Sequence, residues 1–119
     1  MIGTASGRPI GITGLGVHVP ERVMTNDDLA AYVDTSDEWI QERTGIRERR
    51  IAAVDEALTD IALPAAKAAL SDAGVTGADI DLLICATCTP DTPIPAAAVW
   101  VQRKLGIGAP AFDVNAACA

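Results

Sequence analysis

A chain of 119 residues with a net charge of −7, half of it hydrophobic and only 3% aromatic, is long enough for one domain with a modest core. The acidic balance argues against general nucleic-acid binding, which wants a basic face, and four aromatic residues are too few for a base-stacking surface. With so few rings, the core must be built from Ala, Val, Ile and Leu, which suits close packing of helices on a sheet.

No run approaches the length of a membrane span, and Met1 to Pro9 lacks the apolar stretch of a secretory leader. Three cysteines, an odd number, do not suggest a disulfide framework, so a reducing compartment, the cytoplasm, is expected.

Pro9 to Val19 reads as a first strand carrying Ile10, Ile12, Leu15 and Val17. Gly14-Leu15-Gly16 invites a dinucleotide-binding reading, but the third glycine position is Val19 and Pro20 follows, so no helix opens there. The glycines instead suit close packing or a bulge. His18, the single histidine, lies beside a proline turn and reads as structural or solvent-facing. Pro20 to Met24 reads as a loop. Thr25 or Asn26 then caps a short helix with Leu29, Tyr32 and Val33 on one face.

Thr35 is expected to start a second helix with Glu38 completing a capping box, the helix ending at Gly45. Trp39 and Arg43 are four residues apart and project from one face. An indole beside a planar guanidinium can hold a nucleotide base by stacking and cation–π contact. Arg47, Arg49 and Arg50 follow, so four of the nine cationic residues fall within eight positions. That patch suits phosphates, or it is a solvated charge run beside an Arg lying over a surface Trp.

Ile51 to Ala57 reads as a connection, and Leu58 to Ala73 as an alanine-rich helix closed by Gly74. Pro64 inside it means either a start near Asp60 or a bend. Val75 to Ile80 is a loop. Asp81 to Cys88 is expected to be a buried strand of a parallel sheet. Cys85 and Cys88 form a C-x-x-C, but residues three apart in a strand point to opposite faces, and no second pair completes a metal site. Their reading is structural, with thiol redox chemistry a remote alternative.

Thr89 to Pro95, with three prolines, is a rigid loop, followed by a helix from Ala96 to Leu105 that ends at Gly106. Phe112 and Val114 begin a last strand. Small residues after it allow a tight turn and a helix start at Cys118, where the helix dipole favours a thiolate. Cys118 is thus a candidate nucleophile or a small core residue.

Asp34-Thr35-Ser36-Asp37-Glu38-Trp39-Ile40-Gln41-Glu42-Arg43-Thr44-Gly45-Ile46-Arg47-Glu48-Arg49-Arg50 closely resembles a signature near the N-terminus of β-ketoacyl-acyl-carrier-protein synthase III, a thiolase-fold condensing enzyme. Ala111-Phe112-Asp113-Val114-Asn115-Ala116-Ala117-Cys118-Ala119 resembles that family's active-site segment, and the resemblance runs from Gly14 to Ala119. It implies an α/β layered thiolase-like fold, of which residues 1–119 would be the N-terminal part. It implies that Cys118 takes the acyl group from an acyl-CoA, that Trp39 and Arg43 sandwich the adenine of coenzyme A with Thr35 at the same nucleotide site, and that the loop Thr89 to Pro95 crosses a homodimer interface where Ile94 helps line the partner's acyl pocket. Read from its residues alone, that loop is equally an ordinary surface turn with one apolar contact. Arg47, Arg49 and Arg50 become candidates for phosphates or for the acidic carrier protein. The implied partners are acyl-CoA as substrate and malonyl-acyl-carrier protein, with no cofactor, metal, nucleic acid or membrane.

The family also uses a later His and Asn and a second oxyanion glycine, and His18 does not match that histidine. The chain is therefore expected to be a piece cut just after the nucleophile, unable to condense substrates alone. Two other readings stay open: a relative on the same fold that serves secondary metabolism, and a non-catalytic fragment.

Overall fold

The computed structural model describes residues 10–117, and Cys118 lies outside them. The order of elements is β1 (Arg22–Thr25), α1 (Asn26–Ala30), α2 (Asp37–Thr44), β2 (Glu48–Ile51), α3 (Leu58–Ala73), a 3₁₀ turn (Gly77–Asp79), β3 (Leu83–Ala86), α4 (Ala97–Leu105) and β4 (Ala111–Val114). Two small sheets result. β1 and β2 pair antiparallel, with Arg22 opposite Ile51 and Thr25 opposite Glu48. β3 and β4 pair parallel, with Ile84 opposite Phe112 and Cys85 opposite Asp113. A parallel pair needs a crossover, and α4 supplies it.

Helix α3 spans the expected residues and closes at Gly74, whose φ of 67° is open to glycine without strain. It runs from Leu58 with Pro64 inside it, so the start near Asp60 does not hold. Asp91 supplies the cap that Ala57 cannot: its carboxylate accepts from the Leu58 and Thr59 N–H groups at 2.5 and 3.1 Å. Asp113 does the same for α4, accepting from Ala97 and Ala98 N–H at 2.8 Å each. The buried core lies around that junction, with Ala97, Ala98, Val101 and Ile107.

Several expectations are corrected. The expected first strand, Pro9 to Val19, has no ladder over its described part, residues 10–19. The segment lies along α3: a Cβ on Gly14 would stand 2.5 Å from Ala69 O, and one on Gly16 2.1 Å from Ala65 O. The Leu15 N–H donates to Asp72 Oδ2 at 2.9 Å. A cavity of about 330 Å³ is lined both by Thr13 and Gly14 and by Leu82, Leu83 and Ile84, and no ladder joins the two segments among the described residues. The glycine reading as close packing is the one that holds.

Strand β1 occupies most of the expected loop Pro20 to Met24, and β2 falls on the arginine run, which had no strand expected. Their partners explain both, since neither segment has an apolar pattern of its own. Helix α1 is capped by Thr25 but stops at Ala30, leaving Tyr32 and Val33 exposed beyond it. Helix α2 is capped by Ser36, not Thr35, because the Ser36 hydroxyl accepts the Trp39 N–H at 3.1 Å. The reciprocal bond expected of Glu38 is absent. Strand β3 is shorter than Asp81 to Cys88 and only half covered: α4 packs on β3 and β4, and α3 packs on α4, while Ile84 and Phe112 are 53% and 44% exposed.

Candidate active site

Helix α2 carries the first part of the site. Only Ile40 is buried on it, at 7% exposure. Trp39 is half-exposed, and the Arg43 Cζ stands 4.8 Å from its ring centroid, within cation–π range. The i, i+4 spacing thus produces the stack that it suggested. The Thr35 hydroxyl, released from capping by Ser36, is buried and has no hydrogen-bond partner among the described residues. A buried hydroxyl left unpaired is costly and marks a place where a further polar group would be welcome.

The arginines that follow divide. The Arg49 guanidinium donates to Asn26 Oδ1 at 2.9 Å, and that of Arg50 to the Pro20 carbonyl at 3.2 Å. Both are engaged within the fold. Arg47 is exposed, with no hydrogen bond or ion pair among the described residues. Its charge helps hold the Asp37 carboxyl below the usual range, after the larger effects of hydrogen bonds from Asn26 and Gln41.

A second part lies at the carboxyl ends of β3 and β4. A cavity of about 260 Å³ there is lined by Ala86, Thr87, Cys88, Val114, Ala116 and Ala117. Its small side chains leave open space, and the carboxyl ends of parallel strands are where α/β sheets bind ligands. The expected nucleophile, Cys118, lies outside the described residues. Asn115 Oδ1 accepts from the Cys88 thiol at 3.2 Å. Cys85 is free and sits opposite Asp113. Burial first, then the Asp113 and Asp91 carboxylates, push its thiol up, which makes it a poor nucleophile. Among the described residues no group of three or more His, Cys, Asp or Glu is placed to hold a metal, and no helix is long and apolar enough to cross a membrane.

Ile94 is 88% exposed on the loop between β3 and α4. The Ile94–Pro95 bond is cis. Asp91 ties one side of this loop to α3, and Asp113 holds the start of α4 on the other. His18 lies apart, in an open cleft of about 700 Å³ with Glu21, Asp55, Glu56 and Asp60. That larger cleft contains none of the expected site residues.

A β-ketoacyl-[acyl-carrier-protein] synthase III of Symbiobacterium thermophilum is 65% identical over 112 residues, covering 93% of this chain and 34% of its own. The chain matches about a third of a β-ketoacyl-[acyl-carrier-protein] synthase III. A crystal structure of 3-oxoacyl-[acyl-carrier-protein] synthase III from Aquifex aeolicus superposes with a TM-score of 0.83 at 50% identity, over 90% of this chain and 35% of that one. The priming β-ketosynthase of the R1128 polyketide biosynthetic pathway gives 0.84 at 39% identity, over 91% and 33%. The fold is the thiolase-like α/β arrangement of these synthase structures. No family model matches the chain.

Sequence reasoning missed Asn26, Asp91 and Asp113. Asp113 carried one signal: a carboxylate inside the apolar strand Ala-Phe-Asp-Val needs a donor, and a helix N-terminus offers two. Asn26 carried none beyond its place beside a cap.

Proposed function

We propose that the chain is the coenzyme A-binding and nucleophile-bearing part of a β-ketoacyl-acyl-carrier-protein synthase III. The observation that carries this is the half-exposed Trp39 with Arg43 stacked 4.8 Å from its ring centroid. On this reading the adenine of an acyl-CoA lies against the stack, Thr35 supplies a hydroxyl there, and Arg47, exposed and unpaired among the described residues, meets phosphate. The Cys118 thiolate attacks the thioester carbonyl, the tetrahedral oxyanion collapses, and the CoA thiolate leaves with the acyl group now on sulfur. Malonyl-acyl-carrier protein then loses carbon dioxide, and its carbanion attacks the acyl-Cys to release a β-ketoacyl product and restore the thiolate.

In a homodimer, Ile94 would reach the partner's acyl pocket and limit the size of the primer, its exposure and doubly anchored loop suiting that role. The reaction needs no cofactor besides the acyl-CoA substrate, and the compartment is the cytoplasm. A second reading, a priming ketosynthase of secondary metabolism, is supported by the R1128 likeness.

Calorimetric titration with coenzyme A tests the site. The expected result is saturable binding, weakened roughly tenfold or more by Trp39→Ala and by Arg43→Ala. Equal binding by all three proteins would remove α2 from the site.

A further inference from the structure

We infer that the buried Asn26 is a positioning residue that sets the rotation of α2, and so the aim of the Trp39–Arg43 stack at its ligand. The inference rests on the reading of that stack as a coenzyme A site. Helix α2 has eight residues and one buried apolar side chain, Ile40. Apolar burial alone is a weak hold on so short a helix, because isolated helices of this length are marginal. What fixes its inward face is polar. Asn26 is 1% exposed. Its Nδ2 donates to Asp37 Oδ1 and to the Ile46 carbonyl, both at 2.8 Å, and its Oδ1 accepts from Arg49 Nη2 at 2.9 Å. Gln41 Nε2 donates to the second Asp37 oxygen. One amide therefore joins the start of α2, the turn after it and β2.

Asp37 and Gln41 precede Trp39 and Arg43 by two residues each, which is roughly 200° around a helix. The network holds one face while the stack occupies the opposite one. A turn of the helix about its axis would break the first and misdirect the second.

Asn26→Asp replaces two donors by acceptors, facing Asp37 and the Ile46 carbonyl, while keeping the shape. The charged groups around the new carboxyl are Asp37 from α2, Arg49 from β2 and, beyond Asp37, Arg47. On its own element Asp27 and Asp28 are exposed, Asp28 being bonded to Thr25. Two facing carboxylates share a proton as pH falls, and the protonated one regains a donor.

The test is coenzyme A binding by calorimetry on the full chain, each variant divided by wild type at the same pH. Circular dichroism checks the fold throughout. Asn26→Asp is expected to bind roughly tenfold more weakly at about pH 8.5 and to return to within about threefold at about pH 6. Gln41→Leu, which removes one network bond and adds no titrating group, is expected to bind about threefold more weakly at both. It serves alone if Asn26→Asp does not fold. A loss in Asn26→Asp that is the same at both pH values, or a Gln41→Leu equal to wild type, overturns the positioning role while leaving the site intact. Wild-type protein that does not bind coenzyme A overturns the site and the positioning role together.

Discussion

Replacing Asp113 by alanine tests the joint on which β4 and α4 both depend. Its two carboxylate oxygens accept from the Ala97 and Ala98 N–H groups at 2.8 Å each. Both alanines are fully buried, and the N-cap residue, Ala96, offers no side-chain acceptor. A hydrogen bond to a charged group contributes about 1.5–3 kcal/mol, and a buried N–H left unpaired costs about 1–3 kcal/mol. Asp113→Ala removes both acceptors and the negative charge at a helix N-terminus, so a loss of about 3–5 kcal/mol is expected. That is a large part of the 5–15 kcal/mol or so of a typical domain. Asp113→Asn keeps one acceptor oxygen in place, and about 2 kcal/mol should go. Urea unfolding followed by circular dichroism gives the change from the midpoint at constant slope. The exposed Asp81→Ala is the control and should stay within about 0.5 kcal/mol of wild type. A loss under about 1 kcal/mol for Asp113→Ala, at unchanged slope, would mean that the carboxylate does not hold the helix.

Gly16→Ala should destabilise by about 1–3 kcal/mol, since its Cβ would meet α3 backbone at 2.1 Å, whereas Gly11→Ala, with open space around it, should be nearly silent; paired melting curves check both. Stability should fall in acid. Asp28, Asp37 and Asp79 are held below the ordinary aspartate value of 3.8, chiefly by hydrogen bonds from the Thr25 side chain, the Asn26 side chain and the Thr76 backbone respectively. Between the folded and unfolded values the unfolded chain binds more protons, so this contribution is complete above the ordinary value and disappears as pH falls through the lowered ones. Urea midpoints from neutral pH to about pH 3 should decline, and Thr25→Ala should flatten part of the decline; a wild-type midpoint independent of pH would contradict this.

Local chemistry was legible wherever a residue acts within a turn or two of itself. Gly74 and Gly106 closed α3 and α4 as expected, and the spacing of Trp39 and Arg43 gave the stack. What failed depended on distant partners. Ile10, Ile12, Leu15 and Val17 have strand composition, but a strand also needs a neighbour, and this segment finds α3 instead. The charged sequence Glu-Arg-Arg-Ile has no apolar signal, yet it becomes β2 by pairing with β1. Asp91 and Asp113 act on groups more than thirty and about fifteen positions away in sequence. Nothing local announces Asp91, and the apolar strand around Asp113 shows only that its carboxylate needs a donor, not which one. Thr35 shows the finer limit, because two adjacent hydroxyls competed for one cap and Ser36 took it.

Acyl transfer to Cys118 is the central claim, and intact-mass measurement before and after acetyl-CoA tests it most directly. The expected result is a gain of one acetyl group, mapped to Cys118 and absent from Cys118→Ser, with CoA released in equal amount. No gain, or a gain that persists in Cys118→Ser, would contradict it.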